Sequence, residues 1–297
     1  MSQLTMVVAC TDRKAAPSTP LRVVRNLPPT AMEDRLKTWV ERISIRAQGT
    51  PVDLTNLYRG DNWLQAQRLV TMAKDRVSTD ALVASAGLGL REMNEQHAPY
   101  AATFSQSHPD TVARASQTVH WWQGLTALTT GGLERIDSPQ VVLVLSEPYA
   151  RALDAQIEGL AGTGREVVMF GGWRDIRGIE RVRADRQLRS ELGGAIGSLL
   201  PRMAQRWLDP WDGGKLTTGE HVSVWQQWSK ESRRLEIHDR KRLSDREVSE
   251  FIAEMLSNDP SMAATTSLRR LRDSGYACEQ RRFGSIFKTL KEAQPTW

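Results

Sequence analysis

A short segment near the N-terminus, Thr11-Asp12-Arg13-Lys14, combines a carboxylate with two cations and follows an apolar run. A carboxylate such as Asp12 can orient a water molecule or stabilise a cationic transition state, as carboxylates do in glycoside hydrolysis. The two cations that follow it, Arg13 and Lys14, can hold a phosphate group. Charged turns of this kind are usually only solvated, so the position of this segment in the fold decides whether it does chemistry.

A second segment, residues 57–63, places an aromatic residue and a glycine before an Asp-Asn pair. Tyr58 can stack on a nucleobase, and Asn62 can hydrogen-bond to a base edge because a carboxamide both donates and accepts. Asp61 is a second candidate for the catalytic carboxylate. The alternative explanation is that Asp61 only caps the N-terminus of the helix that begins here.

Small and aromatic residues dominate a third region, residues 85–104. The run Ser85-Ala86-Gly87-Leu88-Gly89-Leu90 has little side-chain bulk, so its backbone can come close to a ligand. It lacks the Gly-Lys-Ser/Thr of a Walker loop and the full GxGxxG spacing, so use of a nucleoside triphosphate is not supported. We interpret His97 and His108 as surface histidines, because their spacing forms no metal motif. The residues of this region that we expect at a substrate pocket are Ser85, Gly87, Glu92, Tyr100, Thr103 and Phe104.

Metal and thiol chemistry find little support in the sequence. The chain has two cysteines, Cys10 and Cys278, and no HExxH, CxxC or Ser-His-Asp signature. We predict neither a metal site nor a cofactor, and we interpret Cys10 as a small buried thiol. Hydrophobic residues make up 40% and charged residues 25% of the 297 residues, as in soluble globular proteins. Because no apolar run approaches the roughly 20 residues that span a bilayer, and no signal peptide is evident, we expect a cytoplasmic protein without a membrane partner.

The elements that must position these residues are predicted by hydrophobic patterning. Short apolar runs typical of buried strands lie at residues 5–10, 81–85, 141–145 and 166–170. Helical patterns lie at residues 32–45, 61–74, 111–128 and 147–160, the third with Asp110 as its N-cap. This alternation predicts an α/β fold with a parallel four-stranded sheet flanked by helices. Ligands bind where the carboxyl ends of such strands meet. Further substrate contacts predicted at this edge are Cys10, Thr11, Lys14, Tyr58, Asn62 and Ser146.

The C-terminal part predicts a separate helical domain. Ser244 and Glu247 have the spacing of a capping box, and apolar residues mark one face of the helix behind them. Two further helices are predicted at residues 266–273 and 278–290, with a glycine turn before the last. Three short helices in this order resemble a helix-turn-helix unit, although a helical cap that stabilises the core is the alternative.

Basic residues are concentrated in two stretches of a chain whose net charge is +5. Residues 261–291 carry seven basic and two acidic residues, and residues 174–189 carry six and three. Clustered positive charge favours a polyanionic partner, nucleic acid first. The predicted DNA contacts are Arg174, Arg177, Arg269, Arg270, Arg272, Arg281, Arg282 and Lys288. The predicted domains are a catalytic α/β domain at 1–200, a connector at 201–243 whose tryptophans fill a domain contact, and a DNA-binding domain at 244–297.

Four short motifs occur in an order that resembles a known family. They are Cys10-Thr11 with Lys14, Leu57-Tyr58-Arg59-Gly60, residues 85–90, and Pro99-Tyr100 with Thr103-Phe104. The pattern is similar to C-x-x-x-K, L-Y-x-G, S-A-x-x-G-L and P-Y-x-x-T of a bacterial and phage family. That family is related to the uracil-DNA-glycosylase-like fold, which includes a domain of archaeal tRNA-deazaguanine modification enzymes. The resemblance covers about residues 5–175.

This resemblance implies particular roles at the site. Asp12 occupies the place of the water-activating aspartate of that fold. The same fold has a late loop with a histidine, whereas the loops after the third and fourth predicted strands, residues 146–148 and 171–173, contain none. Stabilisation of the leaving group by histidine is therefore not matched, and Tyr58, Asn62, Lys14 or backbone N–H groups would have to replace it.

The motifs and the basic tail together predict a DNA glycosylase similar to anti-phage enzymes that remove glucosylated hydroxymethylcytosine. Its partner would be double-stranded DNA with modified bases, and no obligate protein partner is implied. Asp12, or alternatively Asp61, would stabilise the oxocarbenium-like cation once the base is flipped out. Only Lys14 is a candidate for a Schiff base, so we expect a monofunctional enzyme that leaves an abasic site. The alternatives are a base-exchange enzyme, a nucleoside-level enzyme and a non-catalytic binder of modified DNA.

Overall fold

The computed structural model describes residues 2–45, 50–129, 131–235 and 240–292. The chain forms two compact units, residues 1–234 and residues 235–297. The first unit contains the central sheet and a large apolar core, and the second has an apolar core of its own. None of the described helices is long and apolar enough to cross a membrane.

A six-stranded sheet forms the centre of the first unit. The strands of this unit are β1 (Leu4–Ala9), β2 (Val52–Asp53), β3 (Thr79–Ser85), β4 (Gly89–Glu92), β5 (Gln96–His97), β6 (Gln140–Leu145), β7 (Glu166–Gly171) and β8 (Ile179–Val182). The sheet has the order β4-β3-β1-β6-β7-β8, and only β4 runs antiparallel to its neighbour, while β2 and β5 pair separately. The predicted α/β fold with a parallel sheet flanked by helices is therefore confirmed.

The prediction of four strands missed the two edge strands of the sheet, β4 and β8. The small residues after β3 form a tight turn into β4, whose Gly89 pairs with Ser85. Gly89 has a φ of +80°, a conformation that glycine adopts without strain. Strand β8 contains Glu180 and Arg181 between its two apolar ends, so it has no continuous apolar run. A short edge strand does not need one, because it is only partly covered.

Helices cover both faces of the sheet. They are α1 (Met32–Ser44), α2 (Leu54–Leu57), α3 (Asp61–Lys74), α4 (Thr118–Ala127), α5 (Glu147–Ala152), α6 (Asp154–Ala161), α7 (Arg189–Leu192), α8 (Leu199–Leu208) and α9 (Gly219–Ser232). The prediction of a helix from residue 111 is wrong at its start, because α4 begins at Thr118. Asp110 is not its cap and instead binds Arg25. The pattern at 147–160 is divided at Leu153 into two helices.

The tryptophan-rich segment belongs to the first unit. Trp207 and Trp211 are buried in its core, and the Trp207 ring lies 5.8 Å from the Phe170 ring of β7. Trp225 and Trp228 are half-buried against the same cluster. These tryptophans pack α8 and α9 onto the sheet, so the division of the chain falls after residue 234 rather than at 200 and 243.

The second unit consists of α10 (Asp245–Asn258), α11 (Ala264–Asp273) and α12 (Gln280–Glu292), with a two-residue parallel pair, β9 (Lys241–Arg242) and β10 (Tyr276–Ala277). The predicted capping box is confirmed, since Ser244 and Glu247 exchange both hydrogen bonds. The apolar stripes of the three helices meet in one core, which includes Ile252, Leu271 and Phe283.

Candidate functional site

A cleft lies at the carboxyl edge of the sheet between β1 and β6. The chain passes from β1 to β3 on one side of β1 and then crosses back to β6 on the other side. Ligands in sheets of this type bind at the point where the strand order reverses. The cleft at this point has a volume of about 160 Å³ and is lined by Val8, Ala9, Cys10, Asn62, Ala66, Val144, Ser146, Tyr149, Gly197, Leu200 and Pro201.

Three of the predicted substrate contacts, Cys10, Asn62 and Ser146, line this cleft together. The side chains of Asn62 and Ser146 are half-buried and make no hydrogen bond within the described part of the chain. The Cys10 thiol lies 3.0 Å from the Tyr149 hydroxyl. An apolar cleft with unused polar groups on its wall is suited to a small planar ligand whose edge needs hydrogen bonds.

Asp12 does not line this cleft; it lies in the loop that follows β1, two residues after Cys10. Its side chain is 57% exposed, and Oδ2 lies 3.4 Å from Nε2 of His108. The backbone N–H of Asp110 donates to Nδ1 of His108 over 3.1 Å. Because Nδ1 accepts a hydrogen bond, the neutral imidazole carries its proton on Nε2, the nitrogen that lies 3.4 Å from the Asp12 carboxylate. The interpretation of His108 as a surface histidine is therefore incomplete, and no sequence signal links it to Asp12.

Lys14 organises the loop that carries Asp12. Its Nζ donates to the carbonyl oxygens of Thr11 and Asp12, both over 2.9 Å. The same ammonium lies 4.7 Å from the ring centroid of Tyr100 and 5.4 Å from that of Tyr58. Burial lowers the pKa of Lys14. The loop thus closes around the ammonium group, and Thr11 further donates to the Arg59 carbonyl over 3.1 Å.

The aromatic residues predicted to stack on a base are inaccessible. Tyr58, Tyr100 and Phe104 are fully buried, so this prediction is wrong. The hydroxyls of Tyr58 and Tyr100 lie 2.6 Å apart, and that of Tyr100 also bonds to Ser85 Oγ. Burial raises the pKa values of both tyrosines well above their ordinary range. These side chains pack inside the fold and are not available to contact a ligand.

Gly87 packs against this buried network, and its replacement tests how closely the network is packed. A Cβ at Gly87 would lie 2.5 Å from Cε2 of Tyr100, whose ring is held by its hydroxyl bonds. We expect Gly87→Ala to lower the free energy of unfolding by about 1–3 kcal/mol, measured by urea denaturation. Gly159→Ala is the matched control, because nothing lies within 4 Å of a Cβ there and alanine favours its helix by up to about 1 kcal/mol. Equal stability of the two variants would contradict the close packing.

Asp61 is tied to the opposite helix. Ser198 Oγ donates to Oδ2 of Asp61 over 2.5 Å, and Arg202 Nη2 donates to both carboxylate oxygens at 3.1 and 3.2 Å. The hydrogen bond from Ser198 is the main cause that lowers the pKa of Asp61. Both oxygens are thus occupied by contacts that join α3 to α8. We interpret Asp61 as a structural residue in preference to a catalytic one.

Replacement of Asp61 tests this role by its pH dependence. Folding lowers the pKa of Asp61, so its ionised form stabilises the fold at neutral pH and this contribution disappears as acid protonates it. We expect Asp61→Asn to reduce the free energy of unfolding at pH 7 and to differ less from the native chain below about pH 4. Asp80→Asn serves as the control for charge removal, because this carboxylate on β3 is exposed and makes no hydrogen bond or ion pair with the described residues. An unchanged stability of Asp61→Asn at pH 7 would contradict a structural role for the contacts of Asp61 with Ser198 and Arg202.

Two other predicted contacts lie away from the cleft. Glu92 ends β4, and because β4 runs antiparallel to β3 it reaches the opposite edge of the sheet, in a separate cavity of about 440 Å³. Thr103 is buried in the loop that follows Tyr100, where its Oγ1 accepts from the Ser105 N–H over 3.1 Å. The structure therefore does not bring Glu92 to the site, and Thr103 shapes a loop.

The predicted DNA-binding residues, seven arginines and Lys288, fall into two groups. Arg177, Arg269 and Arg281 are exposed and make no ion pair with the described residues. The others have partners. Three of them are in ion pairs: Arg174 with Asp154 and Glu158, Arg282 with Asp245, and Lys288 with Glu292 at 3.8 Å. Arg272 donates to the Cys278 carbonyl, and Arg270 contacts the sulfur of Met255. The first group is the better candidate for phosphate contacts.

Metal-ligating side chains do not gather at any one place in the described ranges, where no three of His, Cys, Asp or Glu could hold an ion. Comparison of the chain with models of known families, with curated proteins and with solved structures finds no match. The resemblance to the uracil-DNA-glycosylase-like fold and to a helix-turn-helix unit therefore stays a prediction.

Proposed function

We propose that the protein is a DNA glycosylase that hydrolyses the bond between deoxyribose and a modified base. The observation that carries the proposal is Asp12, an accessible carboxylate that faces His108 and follows Cys10 of the cleft at the switch point of the sheet by two residues. A negative charge at this place can stabilise the cation that forms at C1′ as the base leaves. Water then adds to C1′, and the departing base takes up a proton.

The cleft is the proposed site for the flipped base. Its apolar walls, including Ala66 and Leu200, suit the faces of a heterocycle, and the free polar groups of Asn62 and Ser146 suit its edge. A Cβ at Gly197 would meet nothing within 4 Å, so space remains open on that side of the cleft. A substituent on the base, such as the glucosylated hydroxymethyl group of phage cytosine, would extend through this opening.

The second unit is the proposed DNA-holding element. The exposed guanidinium groups of Arg269 on α11 and Arg281 on α12 have no ion-pair partner in the part of the chain that the structure describes and are available to phosphates. We interpret α11 and α12 as a helix-turn-helix-like pair on the basis of their length, the Gly275 turn between them and this charge.

The test is incubation of the purified chain with phage DNA that carries modified cytosines and with unmodified DNA. We expect mass spectrometry to find the free modified base and abasic sites only in the first sample. Intact DNA on every substrate would contradict the proposal. A base-exchange enzyme would instead incorporate added free deazaguanine, and a nucleoside-level enzyme would act equally well without Arg269 and Arg281.

A further inference from the structure

A buried carboxylate, Asp110, is paired with the exposed guanidinium of Arg25, and this ion pair has no part in the proposed chemistry. Asp110 is buried, and Arg25 binds it with two bonds, Nε to Oδ1 and Nη2 to Oδ2, each 2.7 Å long. A carboxylate out of water is costly unless it is paired in good geometry. The bidentate contact therefore places Asp110 in one position relative to Arg25.

Arg25 belongs to the insertion between β1 and α1, which follows the Asp12 loop. The insertion is joined to the body of the unit by the Val24 N–H, which donates to the Ala101 carbonyl over 2.9 Å. Ala101 N–H in turn donates to the Arg22 carbonyl over 2.8 Å. The backbone just before Arg25 is thus held by two hydrogen bonds to Ala101, so the guanidinium group extends from an anchored segment.

The loop that carries His108 is built around Asp110. The Asp110 carbonyl accepts from the Thr103 N–H over 2.9 Å, and Thr111 Oγ1 donates to the His108 carbonyl over 2.6 Å. The Asp110 N–H is the donor that reaches Nδ1 of His108, while the Asp110 carboxylate oxygen is 3.9 Å from that nitrogen. Displacement of Asp110 would therefore remove the bond that sets the tautomer of His108.

We propose that Arg25 and Asp110 are positioning residues that hold His108 as its Nε2-protonated tautomer, so that its Nε2–H faces the Asp12 carboxylate and fixes the direction of that group. The role of Asp12 in this chain of contacts rests on the proposed glycosylase activity. The tautomer of His108 does not, and it can be measured without any substrate. The insertion before α1 thereby acquires a function in the site.

The first test is nuclear magnetic resonance of the full chain labelled with ¹⁵N-histidine, at about pH 8.5, where imidazoles are generally neutral. The signal of His108, one of five histidines, is assigned with His108→Gln. We expect a protonated Nε2 and an unprotonated Nδ1 in the native chain, and a mixture of tautomers in Arg25→Gln. Arg135→Gln, at an exposed arginine on the opposite edge of the sheet, should leave the signal unchanged.

The second test is the rate of base release. Misplacement of a catalytic group by a fraction of an ångström to one ångström costs roughly 10- to 100-fold, so we expect this loss in kcat for Arg25→Gln with little change in KM. Arg25→Lys keeps the charge and should recover part of the rate. If Arg25→Gln does not fold, the tautomer of His108 is measured in Arg25→Lys and Asp110→Asn instead, from the same ¹⁵N signal.

The outcomes separate the two proposals. A native His108 signal in folded Arg25→Gln and Asp110→Asn overturns the positioning role, whatever the activity. Normal kcat in those variants overturns it as well. Absence of base release from the native chain on every DNA, with the expected tautomer change in Arg25→Gln, overturns the glycosylase function alone.

Discussion

Asp12→Asn is expected to lower the rate of base release by about 10²- to 10³-fold, the usual loss when a charge or dipole aimed at a developing charge is removed. The substitution keeps the size and shape of the side chain and one acceptor oxygen, while it replaces the other oxygen with an NH2 donor and removes the negative charge. Asp12 is largely exposed, so the variant should fold normally. The measurement is single-turnover release of free base from modified phage DNA.

Asp61→Asn is the matched control for the Asp12 experiment. Its carboxylate is already bound by Ser198 and Arg202, so its loss should change stability more than the rate. The reverse pattern, with rapid release by Asp12→Asn and none by folded Asp61→Asn, would assign the catalytic role to Asp61. Full release by both variants would contradict a catalytic carboxylate at either position. Restriction of phage by an Asp12→Asn chain that releases no base would identify a non-catalytic binder.

The double variant Arg269→Ala/Arg281→Ala is expected to bind DNA more weakly at every sequence. Each phosphate contact releases a counterion, so the slope of log Kd against log salt should fall by about two when both are lost. The measurement is a DNA titration at several salt concentrations. Arg246→Ala is the control in the same unit, because Arg246 is exposed and its guanidinium is paired with Glu250. Equal slopes for the double variant and this control would contradict the proposed contact.

Much of the first unit follows from local sequence. Buried strands are continuous apolar runs, so the four central strands were predictable within a residue or two, and α1 and α3 are amphipathic patterns of ordinary length. The edge strands β4 and β8 were not predictable in this way. Strand β4 follows a tight turn and has no apolar run of its own, and β8 contains charged residues. The position of Asp12 at the carboxyl edge followed from the strand that precedes it.

The partners of the site residues depend on contacts between distant segments. Tyr58 and Tyr100 have the composition of a base-stacking pair, but the close packing of their loops against the sheet buries both. Glu92 is near Ser85 in sequence, yet the antiparallel return of β4 carries it to the other edge. His108 lies 3.4 Å from Asp12, 96 residues away in the chain, and its other ring nitrogen is bound by the Asp110 N–H.

The sequence by itself determined the parallel sheet, the edge at which its loops gather and the basic, capped helical unit at the C-terminus, because hydrophobic period, capping spacing and charge are local properties. Only the tertiary structure decided which polar groups remain free to meet a ligand. Three polar residues stay accessible, namely Asn62, Ser146 and Asp12. Three others make hydrogen bonds inside the protein, namely Asp61, Tyr58 and Tyr100. A polar side chain is available for function only when packing leaves it accessible to a ligand, and packing depends on residues far away in the chain.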